Sequence, residues 1–222
     1  MSNEFWEKIH ASRSWGKYPD TEIVSLLISN FPTIDKRRET RVLDLGCGSG
    51  ANSLMMIAEG FLTYGVDFSN SAINKLGLKL EILNESKHIQ NFNVANFSNL
   101  PWADGHFDVV VDCMAIYAND LSTIKKTFSE VERVLIKGGR FISKSWSQET
   151  MKIGNGLEVE KGTLDCLTEG PCKGFGISHF FTEQELIKLC VNFELDILKK
   201  TIKEDRLKGI LVGEWTVSGT LK

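Results

Sequence analysis

The feature that most constrains this chain is a short run near its first fifth. Residues 42–50 read Val-Leu-Asp-Leu-Gly-Cys-Gly-Ser-Gly. An apolar strand feeds a glycine turn, and the helical spacing of Leu54, Ile57 and Ala58 follows at once. A strand that turns so tightly into a helix belongs to an α/β architecture. Glycines in the turn let the backbone approach a ligand closely, and the helix start offers unpaired N–H groups. Asp67 lies 21 residues after Gly46, at the end of the next β-branched run, where a carboxylate can bind both hydroxyls of a ribose.

The turn alone leaves the ligand open. Gly46, Gly48 and Ala51 also satisfy the loose dinucleotide fingerprint, so an NAD-dependent oxidoreductase is one alternative. Asp44, two residues before the first glycine, favours another. A carboxylate there repels a pyrophosphate held close to it and attracts an ammonium. S-adenosylmethionine carries an ammonium and a ribose diol and has no phosphate.

The rest of the chain repeats the alternation. Strands are expected over Arg41–Leu45, Phe61–Val66, Phe92–Val94, Phe107–Asp112 and Arg140–Trp146. Ser69 is placed to cap a helix whose apolar face is Ile73, Leu76, Leu80 and Leu83. Ile124, Phe128, Val131 and Leu135 make a second stripe, stopped by Gly138 and Gly139. Periodicity is lost from about 147 to 180, a glycine- and proline-rich stretch that reads as a structureless, functional insertion. Thr182 and Glu185 then form a capping-box signature, and runs at Glu194–Lys203 and Ile210–Val217 suggest a closing hairpin.

Taken in order, these segments resemble the class I S-adenosylmethionine-dependent methyltransferases. Val42 to Gly50 is similar to that family's first motif, and Asp67 to its ribose acid. Asn99 to Trp102 with Phe107 to Val111 resembles the join between its third and fourth strands. Val134 to Arg140 resembles the turn before its fifth strand, and His179 to Leu186 the start of its late helix. The resemblance implies an α/β fold: a seven-stranded, mostly parallel, doubly wound sheet with the last strand antiparallel and helices on both faces. It implies an N-terminal lid segment at 1–20 and a single Rossmann-like domain at 21–222, with an acceptor-side insertion at about 147–180.

The same resemblance implies site residues. Asp44 would face the cofactor's ammonium, Gly46, Cys47 and Gly48 its methionine moiety, Asp67 its ribose and Phe68 its adenine. Asn96 and Phe97 stand where the family often has an acid that reads the adenine amino group. Cys113 would line the floor. Trp15, Lys17, Tyr18, Tyr117 and His179 are candidates for the acceptor pocket or lid, with His179 and Tyr18 as the candidate catalytic groups. The expected activity is methyl transfer to a small-molecule or peptide acceptor, on oxygen before nitrogen, with S-adenosyl-L-homocysteine as product. Carboxylate stands ahead of hydroxyl among the oxygen acceptors, because Arg13, Lys17, Lys144, Lys152 and Lys173 offer positive charge. A noncatalytic cofactor-binding protein is the remaining alternative.

Composition sets the outer limits. A net charge of -3 argues against a protein that coats a nucleic-acid backbone, and Asp112 to Ala115 lacks the base-methylating motif of the family's nucleic-acid branches. Five cysteines with no paired spacing suit a reducing cytoplasm and suggest neither a disulfide framework nor a metal site. No apolar run is long enough to span a bilayer, and Glu4 and Glu7 do not suit a signal peptide.

Overall fold

The computed structural model describes residues 2–13, 16–151, 156–207 and 209–222. Three helices precede the first strand: α1 (Ser2–Ser12), α2 (Thr21–Asn30) and α3 (Ile34–Glu39). Strand β1 (Arg41–Leu45) leads through the glycine turn into α4 (Ala51–Ala58). Then come β2 (Leu62–Asp67), α5 (Asn70–Ile82), a 3₁₀ turn and β3 (Phe92–Val94). β4 (Phe107–Cys113), α6 (Leu121–Val134) and β5 (Leu135–Trp146) complete the parallel part. The insertion follows as α7 (Gln148–Met151), β6 (Leu157–Glu160), β7 (Thr163–Asp165) and β8 (Ser178–His179). Helix α8 (Glu183–Leu189) precedes the hairpin of β9 (Phe193–Asp205) and β10 (Ile210–Leu221).

The main sheet has seven strands in the order β3-β2-β1-β4-β5-β10-β9. Its first five strands are parallel, and β10 runs antiparallel to both β5 and β9. This is the architecture that the sequence implies. Period-two alternation divides the core between the two faces. Leu43, Leu45, Val110 and Phe141 pack with Ile124, Phe128 and Val131 of α6. Val42, Val109, Val111 and Ile142 pack with Ile23 and Leu27 of α2 and Met56 of α4.

Local signals set the helix starts. The Ser69 hydroxyl accepts from the Ala72 N–H at 3.0 Å, and Asp120 accepts from the Thr123 N–H at 2.8 Å. The Thr182–Glu185 box forms with both reciprocal bonds. Three expectations need correction. Leu83 is exposed, because α5 ends at Ile82 and Leu83 turns away as its C-cap. β5 begins at Leu135 rather than Arg140: the strand pairs with Phe107 there, bulges at the glycine pair and resumes opposite Val109. The insertion is not structureless, since β6, β7 and β8 form an antiparallel three-stranded sheet.

One packing contact fixes the glycine turn. Gly50 has φ of 91°, and a side chain there would meet Leu76 Cδ1 at 2.3 Å. Leu76, fully buried on α5, fills the space that the glycine leaves. Leu76→Ala should therefore cost about 2–5 kcal/mol in denaturant unfolding. A loss under about 1 kcal/mol would mean that the turn does not lean on α5.

Candidate cofactor and active site

A cavity of about 500 Å³ opens at the C-terminal ends of β1, β2 and β4. This is where open α/β sheets bind ligands. Its floor is the turn Gly46, Cys47 and Gly48. The Gly46 and Cys47 N–H groups donate to the Val66 carbonyl at 2.8 and 3.0 Å, which staples the turn to β2. Gly46 has φ of 66°, and a Cβ there would lie 2.3 Å from the Ala115 Cβ and 3.2 Å from the Phe97 ring. Only glycine leaves that cradle open.

Asp67 lines the cavity beside the turn. One of its oxygens accepts from the Gly48 N–H at 3.0 Å and the other from the Ser69 N–H at 2.8 Å. Burial raises its pKa, while those N–H groups and His10 pull the other way. Phe68 and Phe97 also line the cavity, with ring centroids 6.3 Å apart. Cys113 closes the wall at the end of β4, and burial pushes its thiol up to about 12, so it offers surface rather than a nucleophile.

Several other expected residues stand elsewhere. Asp44 does not line the cavity. It is buried below the floor, where its Oδ2 accepts from the Ser53 hydroxyl of α4 at 2.5 Å. Burial, opposed by Ser53, raises its pKa to about 7. Asn96 is exposed, and its amide oxygen accepts from the backbone N–H and hydroxyl of Ser98 at 2.9 and 3.0 Å. His179 does not reach the cavity either. Its ring is buried in the insertion sheet, 4.6 Å from Phe181, with Nδ1 bonded to the Thr163 hydroxyl at 2.7 Å. Burial lowers its pKa. Tyr117 is likewise a core residue, packed edge-on against Trp146 at 6.0 Å.

Tyr18 does line the cavity mouth and is largely exposed, with the Lys17 ammonium 5.4 Å from its ring centroid. Trp15 and Lys152 lie outside the described residues. Lys144 is buried and already partnered: its Nζ lies 2.8 Å from Asp20, 3.5 Å from Glu22 and 3.6 Å from Glu214. It is therefore not available to neutralise an anionic acceptor, and among the described cavity-lining residues there is no Lys or Arg.

Sequence reasoning missed several contributors, Trp6, His10 and Asp20 among them. Trp6 and His10 reach the cavity from α1, one helical turn apart, and His10 sits over Gly48. Burial lowers the His10 pKa, although Asp67 lies close by. Asp20 lines the cavity and caps α2, accepting from the Glu22 and Ile23 N–H groups. An Asp just ahead of the Ile23–Leu27 stripe is a legible N-cap signal. Phe5, Trp6 and Ile9 stand at helical spacing, the signal that marks α1.

The chain matches the family model described as "Methyltransferase domain" over residues 36–201. It belongs to the methyltransferase family. That family's cofactor, S-adenosylmethionine, is the one assigned to this chain, and the oxidoreductase alternative falls away. Demethylmenaquinone methyltransferase of Symbiobacterium thermophilum is 32% identical over 104 residues, 46% of this chain and 40% of that protein. The chain spans about half the length of the curated relatives it matches. Among solved structures, a SAM-dependent methyltransferase of Methanosarcina mazei is 24% identical, with a TM-score of 0.69 over 88% of this chain and 96% of that one. The 1,6-didemethyltoxoflavin-N1-methyltransferase of Burkholderia thailandensis, solved with its small molecule and S-adenosylhomocysteine, is 15% identical. It covers 95% of this chain and 93% of its own at a TM-score of 0.60. These structural likenesses show the fold.

The buried Asp44 predicts a pH dependence. It keeps its proton in the folded chain up to about 7, against 3.8 when unfolded. Stability from this group is thus complete below 3.8 and is lost as pH rises through about 7. In urea unfolding at about pH 4.5 and about pH 7.5, wild type should lose a few kcal/mol relative to Asp44→Asn across that window. Parallel profiles would show that Asp44 ionises normally.

Proposed function

We propose that this protein transfers the methyl group of S-adenosylmethionine to an oxygen of a small-molecule or peptide acceptor. The observation that carries this reading is that the glycine turn and the Asp67 carboxylate open onto one cavity together. Bound there, the cofactor would supply a methyl group already activated by its sulfonium.

In this reading Asp67 holds the ribose hydroxyls, and Phe68, backed by Phe97, lies against the adenine. The Gly46–Gly48 turn runs beside the methionine portion, with Cys113 as the wall beyond it. Asn96 is left to its turn. Residues 1–20 serve as a lid on a domain spanning 21–222, and α1 excludes water by placing Trp6 and His10 over the turn. The insertion at about 147–180 supports that lid, since Phe175 packs 5.4 Å from Trp6 and 6.1 Å from Phe5. The main catalytic work is alignment of the acceptor with the methyl–sulfur bond. Of the two candidate catalytic side chains, Tyr18 is the one at the cavity mouth and would position the acceptor; buried His179 would shape the insertion.

The lining also changes the order of acceptors. Among the described lining residues there is no Lys or Arg to pair with a carboxylate acceptor, and an unpaired charge is costly to desolvate, so a neutral hydroxyl stands ahead. The small molecule in the Burkholderia thailandensis structure supports a small acceptor.

Methyl-labelled S-adenosylmethionine should label a hydroxyl-bearing acceptor in a bond that survives mild alkali, as an ether does. Release of labelled methanol would identify a carboxyl ester and restore the carboxylate. Firm cofactor binding without transfer to any acceptor would make the protein a noncatalytic binder.

A further inference from the structure

We propose that Asp20, rather than Asp44, is the carboxylate that receives the ammonium of the cofactor's amino-acid end. The inference rests on the cofactor reading above. A carboxylate can meet an ammonium in the cavity directly only from the cavity wall. Among the described lining residues there are two, Asp67 and Asp20. Asp67 stands at the end of β2 next to Phe68, on the nucleoside side. Asp20 stands beyond the turn, with Asn52 and Cys113. Asp44 is 1% exposed and spends an oxygen on the Ser53 hydroxyl beneath the floor.

Asp20 is also built to stay ionised and still. Its Oδ1 accepts from the Glu22 and Ile23 N–H groups at 3.0 and 3.1 Å, at the positive end of α2. Its Oδ2 accepts from the Lys144 ammonium at 2.8 Å, and its own N–H donates to the Asn52 side chain at 3.0 Å. A carboxylate accepts about four hydrogen bonds, so one direction on Oδ2 is left for a ligand. Lys144 is shared among Asp20, Glu22 and Glu214, and the two glutamates also pair with the exposed Lys199 and Lys203. Burial opposes ionisation of Asp20, but Lys144 and the two N–H groups outweigh it and keep the carboxyl below its ordinary range.

The test compares two ligands that share a nucleoside and a sulfur. S-adenosylhomocysteine carries the amino-acid end; 5′-methylthioadenosine lacks it. Asparagine still caps a helix, so Asp20→Asn keeps α2. By calorimetry, that variant should bind S-adenosylhomocysteine about tenfold or more weakly and 5′-methylthioadenosine within about twofold of wild type. Unchanged S-adenosylhomocysteine affinity overturns the proposal. So does an equal loss for both ligands, or a collapse of their affinity ratio in Asp44→Asn instead. Wild-type protein that binds neither ligand would refute the cofactor reading itself, a result distinct from all of these.

Discussion

The carboxylate of Asp67 bonds to two backbone N–H groups that belong to different parts of the fold. Gly48 lies in the turn after β1, and Ser69 begins the helix after β2. Each bond to an ionised acceptor is stronger than a neutral one. Together they lock two strand ends and two helix starts into one rigid rim. The turn's other anchor points the same way, since Gly46 and Cys47 both donate to Val66, the neighbour of Asp67. The cavity inherits its shape from this rim. The cost is a buried negative charge, which lifts the Asp67 pKa and leaves the side chain ready for further donors.

The N-terminal helix is attached to the same rim. Glu7 accepts from the Ser69 hydroxyl at 2.6 Å, from the Ser71 N–H at 3.2 Å and from the Ser71 hydroxyl. Lys75 donates to the His10 and Arg13 carbonyls, placing a cation at the carbonyl end of α1. Ser69 thereby serves three purposes: it caps α5, holds Asp67 through its N–H and receives α1 through its hydroxyl. Polar bonds thus hold α1 at Glu7 and at the His10 and Arg13 carbonyls, while Trp6 packs against the main core.

The parts of this design that rest on near neighbours were legible in the residues. The strand-turn-helix at 41–58, the Ser69 cap and the Thr182–Glu185 box each depend on side chains within a few positions, and each forms. Contacts across long stretches of chain were not legible. Lys144 reads as a free cation until the fold brings Asp20, Glu22 and Glu214 to it. His179 reads as an acceptor residue because the insertion returns there, but its strand pairs with β7 and turns the ring onto Thr163 and Phe181. The helix α1 is held by Glu7 and Lys75 bonds to α5 and by Phe5 and Trp6 on Phe175, which no local pattern announces. Asp44 sits at the right position in the chain, yet the Ser53 hydroxyl from the next helix turns its charge inward.

The most direct measurement is a calorimetric titration of S-adenosylhomocysteine into wild type and Asp67→Ala. Removing the carboxylate should weaken binding by about 1–3 kcal/mol, the scale for a lost charged hydrogen-bonding group. Equal affinities in the two proteins would contradict the account, because the ribose would then be held somewhere other than at the rim.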